Sequence, residues 1–177
     1  LALVDEKIAE YDSKTDSYSS DYHLGNWLMT RIEMMKETDC SWDELRAFCK
    51  QHWNHRRIRS WYAKACTDRG DTVEEISTLE HSVMLDSSYA GLVSEYSLRL
   101  KDLYKDAGRM QDYQNIMWRI VTQIKPGNLA LFREFKAQFG TEEWPEVREQ
   151  VFNALSTRHS ALMELYREEE LLDRLMK

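Results

Sequence analysis

The sequence predicts an all-α protein, an α-solenoid of stacked antiparallel helical hairpins. The clearest sign is the stretch from Leu103 to Tyr113, which reads as a helix end, a glycine turn and the start of a second helix. Before it, Tyr89, Leu92, Val93, Tyr96, Leu100, Leu103, Tyr104 and Ala107 recur at steps of three and four, as do Met110, Tyr113, Ile116, Met117, Ile120, Val121 and Ile124 after it. Such spacing sets apolar side chains on one face of each helix. Gly108 stands where a helix stops in the left-handed conformation, which costs other residues about 1–2 kcal/mol. So short a linker predicts a hairpin. A second sign is the presence of only two prolines and six glycines in 177 residues, which favours long uninterrupted helices. The third is an internal repeat. Ala65–Asp71 overlays Leu103–Arg109 at an offset of 38 residues, and Leu165–Leu171 follows at an offset of 62 without the glycine. Periods of roughly 34 to 45 residues built from paired helices mark α-solenoids.

The elements follow in order. Leu3, Val4, Ile8 and Tyr11 predict a short first helix, and the polar run from Asp12 to Ser20 a loop. Asp12, Asp16 and Asp21 lack the pattern of a calcium loop. Leu24, Trp27, Leu28, Ile32 and Met35 face inward on a helix over 21–36, which contains Gly25. Ser41 and Glu44 form a capping box for a helix carrying Trp42, Leu45, Phe48, Cys49 and Trp53. The chain turns near Asn54 into a helix with Ile58, Trp61, Tyr62, Ala65 and Cys66 inward, ended by Gly70. Thr72 and Glu75 suggest another capping box, before Val73, Ile76, Leu79 and Val83 on an inward face. Pro126-Gly127 ends the partner of the long helix, and a shorter helix with Leu129, Phe132, Phe135 and Phe139 stops at Gly140. Pro145 is tolerated in the first turn of the next, where Val147, Val151, Phe152 and Leu155 face inward. Leu162, Leu165 and Tyr166 belong to the penultimate helix. Leu171, Leu172, Leu175 and Met176 form an apolar stripe on the last. The expected organisation is one helical-repeat domain over 1–177: N-terminal helices over 1–56, two hairpins over 57–124, and irregular hairpins over 125–177.

Composition narrows the function. The chain is 42% hydrophobic and 31% charged, as expected of a soluble folded chain. Its net charge of −7 argues against nucleic-acid binding by the whole surface, since phosphate recognition needs clustered cations. No run approaches the roughly 20 apolar residues of a membrane helix, and no secretory signal is visible. An odd cysteine count, three, fits free thiols in a reducing cytoplasm. The start at Leu1 suggests a piece of a longer chain.

Two resemblances sharpen the reading. Tyr62, Ala63, Cys66, Gly70-Asp71, Ile76, Leu79 and Val83 resemble a tetratricopeptide unit, in which Glu75 and Ser82 replace two usual alanines and Ser87 the usual proline. The resemblance implies a right-handed array of hairpins. The order Tyr104-Lys105-Asp106-Ala107-Gly108-Arg109, then a phenylalanine-rich helical stretch, then Glu143-Trp144-Pro145-Glu146-Val147-Arg148-Glu149, then Leu165-Tyr166-Arg167-Glu168-Glu169 resembles the C-terminal helical region of SWIM zinc-finger proteins. It covers about Ile58 to Lys177. The Cys-x-Cys and Cys-x-His zinc motif is absent, so the resemblance implies the helical portion without its metal module.

Candidate chemistry is sparse. Cys49, His52 and His55, with Cys40 nearby, invite zinc, but on one helix His55 rotates away from the other two, and no metal site is expected. The residues His52, His55, Arg56, Arg57, Arg59 and Lys64, interleaved with Trp53, Trp61 and Tyr62, form the one basic, aromatic cluster. It is the candidate surface for a protein or peptide partner, or alternatively for nucleic acid. Glu142, Glu143, Glu146, Glu149 and Glu168-Glu169-Glu170 are expected on solvated faces. No nucleophile elbow, phosphate-binding glycine loop or HExxH stands in the sequence, so no catalytic residue or cofactor is assigned. The expected function is a non-enzymatic protein-interaction scaffold. A homodimer, or further repeats, would cover the terminal apolar stripe.

Overall fold

A computed structural model describes residues 2–13 and 18–175. Every element among them is helical, with no strand: α1 (Ala2–Asp12), α2 (Tyr18–Glu37), α3 (Trp42–Gln51), α4 (Arg56–Arg69), α5 (Thr72–Leu85), α6 (Ala90–Asp106), α7 (Met110–Arg119), a π-helical turn (Ile120–Ile124), α8 (Leu129–Lys136), α9 (Trp144–Ala154), α10 (His159–Glu168) and α11 (Leu172–Leu175). No described helix is long and apolar enough to cross a membrane. The chain forms two compact units, Leu1–Leu85 and Asp86–Lys177, and the boundary falls within the stretch 57–124 that the sequence groups as two hairpins.

In the first unit α1 packs on α2, and α2 and α3 pack on α4. Leu28, Ile32, Cys49, Ile58, Tyr62 and Cys66 are wholly buried there, with Trp27, Trp42, Trp53 and Trp61 half-buried around them. Burying an aliphatic side chain of this size contributes about 1.5–3 kcal/mol, so this core carries the unit. Burial pushes the Cys49 thiol up to about 12 and the Cys66 thiol up to about 11, which keeps both as inert thiols. The Ser41 box forms as expected: Glu44 N–H donates to Ser41 Oγ at 3.2 Å, and Ser41 N–H to Glu44 Oε2 at 2.8 Å.

Some inward assignments move. The cap of α5 is Asp71, whose Oδ1 accepts from Glu74 N–H at 3.1 Å, not a Thr72 box. Val73 therefore lies in the exposed first turn, and Glu75 is buried instead. Tyr89 and Met110 are exposed for the same reason: each stands at a helix start, before the inward stripe begins. Ala107 is exposed at its cap.

The repeat has a structural counterpart in the turns. Gly70, Gly108 and Glu170 all adopt positive φ, at 71°, 67° and 56°. After each, the next amide reaches back five residues: Asp71 N–H to Cys66 O, Arg109 N–H to Tyr104 O, and Leu171 N–H to Tyr166 O, all at 2.9 Å. The preceding amides close the inner bonds, Gly70 to Thr67, Gly108 to Lys105 and Glu170 to Arg167. This pair of bonds satisfies carbonyls that a helix end otherwise orphans. The third copy keeps the turn without the glycine, at a cost in backbone strain. Glu170→Gly is therefore expected to stabilise by about 1 kcal/mol, and Gly108→Val to destabilise by about 1–2 kcal/mol, in urea denaturation. Equal responses at the two sites would contradict the shared turn.

Gly140 behaves differently. The α8 helix already ends at Lys136, and Gly140 has no positive φ; its carbonyl accepts from Trp144 N–H at 2.9 Å and begins the turn into α9. The helix stops earlier because Ala137, Gln138 and Phe139 close successive turn bonds onto Arg133, Phe135 and Lys136.

In the second unit α6 and α7 pack as a hairpin, and α8 packs on α7 and the π-helical turn. That turn has the wider bond Lys125 N–H to Ile120 O at 2.7 Å and keeps Ile120 and Val121 buried. Glu134 joins α6, α7 and α8: both its oxygens take Lys101 Nζ at 2.9 Å, and Oε1 also takes the Tyr113 hydroxyl at 2.9 Å. Phe132, Phe135, Phe139 and Trp144 pack ring to ring at centroid distances of 4.9–6.4 Å. Of the expected terminal stripe Leu171 is half-buried, while the side chains of Leu172 and Leu175, and all of Met176 and Lys177, lie outside the described residues, as does the homodimer they were expected to form.

Candidate partner-binding surface

The turn between α3 and α4 positions the candidate residues. His52 N–H closes α3 onto Phe48 O, His55 N–H bonds His52 O, and α4 begins one residue later. Two tight bonds within four residues bring His52 and His55 to one side, facing the Asp12 end of α1 and the Asp21 turn of α2. Asp12, Asp21, Leu24, Leu28, Gln51, His52, Asn54 and His55 line an open cleft of about 320 Å³. Its rim is polar and partly acidic, and its floor is the apolar side of α2.

His55 is held in place. Its Nε2 lies 3.1 Å from Asp21 O and 3.3 Å from the Asp21 carboxylate, and the side chain is 8% exposed. Since a carbonyl only accepts, Nε2 carries the proton. His52 is half-buried, tilted over Phe48 at 4.8 Å between ring centroids. Burial holds its pKa below the ordinary histidine value, with Asp12 opposing and His55 reinforcing the shift. Among the described residues no group of three His, Cys, Asp or Glu side chains stands together as a metal ion would need. Cys49 is wholly buried in the core and does not line the cleft with His52 and His55.

The cationic members part company. Arg59 is 1% exposed and is no surface group. Its Nη1 donates to Trp53 O and Asn54 O, both at 2.8 Å, and its Nε to Ser82 Oγ at 3.3 Å. It pins the α3–α4 turn to α4 and α5. The physical reason is spacing: Arg59 stands three residues before Tyr62 and seven before Cys66, on the face that goes inward. Ser82, the departure from the usual alanine, supplies its partner on α5. Reading both polar residues at inward positions together was the signal for this pair. Arg57 is exposed and donates to Asn26 Oδ1 on α2. Arg56 is exposed, and Lys64 is 75% exposed beside Asp68 at 3.5 Å. Arg56, Arg57 and Lys64 are the members of the set that stay exposed on α4.

Gly25 explains why α2 can approach this closely. A Cβ built there would stand 2.6 Å from His55 Cε1 and 3.1 Å from Arg57 Cδ. As a helix-interior glycine, Gly25 reads in the sequence as a position that accepts alanine. The structure overturns this, because the His55 ring occupies the space. Alanine gains about 1 kcal/mol of helix propensity but must displace a ring held by Asp21. Gly25→Ala is expected to lose about 1–2 kcal/mol net in urea denaturation. In a His55→Ala background the same change should become stabilising, and a cycle with no coupling would refute the contact.

Compared with protein-family models, with curated proteins and with solved structures, the chain matches none.

Proposed function

We propose that this chain is a non-catalytic helical-repeat scaffold for protein–protein interaction, the helical part of a larger SWIM zinc-finger-like protein in the cytoplasm. The observation that carries the reading is the recurrence of one hairpin closure, at Gly70, Gly108 and Glu170, with the same pair of backbone bonds each time. Closures of this kind between consecutive helices, 38 and 62 residues apart and found also at Asp39, fit a stacked, tetratricopeptide-like array of hairpins. Such arrays work by presenting surface. Here the surface is the cleft at His52 and His55 together with the exposed cations Arg56, Arg57 and Lys64 of α4, suited to a peptide carrying both charge signs.

Nucleic-acid binding by 52–64 is the weaker reading. Arg59 is inside the fold, and the carboxylates of Asp12 and Asp21 line the cleft beside the remaining cations. The test is crosslinking in cells of the intact parent chain, with and without Arg56→Glu, Arg57→Glu and Lys64→Glu together. A protein adduct lost in the triple variant is expected. Retention of single-stranded nucleic acid that falls steeply with salt would overturn the reading, since phosphate contacts release counterions.

A further inference from the structure

On the first unit, Lys50 at the end of α3 reaches into a recess made by Trp53, Tyr62 and Glu74. Its Nζ lies 4.0 Å from the Trp53 ring centroid, 5.0 Å from that of Tyr62 and 2.7 Å from Glu74 Oε1. Two aromatic faces and a carboxylate around one ammonium are the elements of a cation-recognition site.

The walls are built independently of the lysine. Tyr62 is wholly buried, and its hydroxyl donates to Glu74 Oε1 at 3.0 Å. Its ring stacks on Trp42 at 5.5 Å and 10°, and Trp53 meets it edge-on at 5.5 Å. The walls therefore come from α3, its following turn, α4 and α5. Lys50 alone sits on a long flexible stem, and its side chain is 40% exposed.

We propose that this recess is a binding site for a lysine side chain of a partner peptide, one that retains at least one N–H, and that Lys50 fills it in cis until displaced. The carboxylate sets the preference. Glu74 accepts a hydrogen bond from the ammonium, which a dimethyl-lysine can still donate and a trimethyl-lysine cannot. Methylation otherwise helps, since a dimethylammonium sheds water more easily than a primary ammonium before meeting the rings. The site thus selects dimethyl-lysine over both the trimethylated and the unmodified side chain. This inference is separate from the α4 surface and holds whether or not the scaffold reading does.

The experiment titrates a short peptide with one central lysine, in unmodified, dimethylated and trimethylated forms, into the chain while following tryptophan fluorescence. Lys50→Ala should bind the dimethylated peptide at least about ten-fold more tightly than the intact chain does, the effect of removing an intramolecular competitor. Dimethyl should exceed trimethyl by several-fold in Lys50→Ala, and Glu74→Leu, which removes the acceptor, should erase that preference. Equal affinity of the intact chain and a folded Lys50→Ala would overturn the proposal, as would a preference for the trimethylated form. A second measurement needs no variant. The Lys50 ε-methylene protons, shielded by Trp53, should shift toward ordinary lysine values as dimethylammonium chloride is added. An identical response to sodium chloride at equal ionic strength would overturn it.

Discussion

Arg59→Ala is expected to lower the stability of the first unit by about 3–5 kcal/mol, the largest effect of any single polar substitution there. The guanidinium is 1% exposed and satisfies Trp53 O, Asn54 O and Ser82 Oγ at once. Alanine removes all three bonds at once and opens a cavity where the buried guanidinium stood. Guanidinium denaturation followed by tryptophan fluorescence reads the loss, since Trp53 flanks the site. Arg59→Lys should recover only part of it, because a single ammonium that reached the two carbonyls would leave Ser82 Oγ without the donor that Nε supplies. The effect should propagate to the cleft, whose His52, Asn54 and His55 ride on the turn that Arg59 pins. A loss below about 1 kcal/mol, the scale of a surface residue, would mean that the turn holds itself.

Glu169→Ala is expected to cost the second unit about 2–4 kcal/mol, through a buried carboxylate that three elements share. Its side chain is 4% exposed; Oε1 takes Lys136 Nζ of α8 at 2.8 Å, and Oε2 takes Trp144 Nε1 of α9 at 2.9 Å and Arg148 Nη1 at 3.4 Å. Burial alone would raise its pKa, but the bonds from Lys136 and Trp144 outweigh it and hold the group below the ordinary carboxylate range. The folded pKa is thus depressed relative to the unfolded one. The stabilisation is complete above the unfolded value, roughly pH 4.3, and is lost as pH falls through the folded value. Urea midpoints measured from neutral to acid pH should drop below about pH 4 in the parent chain, and drop less in Glu169→Gln. Part of the acid dependence should survive in that variant, since Glu149 and Glu168 are also held low, by Arg174 and Arg133. An unchanged pH profile in Glu169→Gln would remove Glu169 from the acid response.

How much of this was legible from residues alone depends on how locally each feature is determined. The helices, the Ser41 capping box and the left-handed stops at Gly70 and Gly108 rest on neighbours within five residues, and these could be read directly. The third stop could be placed by the repeat, but not its use of Glu170 in a left-handed conformation, which requires the bond from Leu171 back to Tyr166 to outweigh the strain. Helix starts were the weak point. Asp71 took the cap expected of Thr72 and left Val73 outside, and Tyr89 and Met110 stand exposed at the starts of α6 and α7.

The candidate surface divides along the same line. A run of cations in the sequence carries no depth, so Arg59 read like Arg56 and Arg57 although only Arg59 goes inside. Glu169 read like its neighbours Glu168 and Glu170 for the same reason. A charge is buried only where partners from distant segments satisfy it, and Ser82, Lys136 and Trp144 are 23, 33 and 25 residues away from the groups they serve. The sequence by itself determined which segments are helical and where the hairpins turn, because periodicity and turn chemistry act over a few residues. Tertiary structure alone decided which polar residues are interior, why Gly25 must lack a side chain, and that Lys50 lies against Trp53, Tyr62 and Glu74, because each depends on which faces of non-adjacent helices meet.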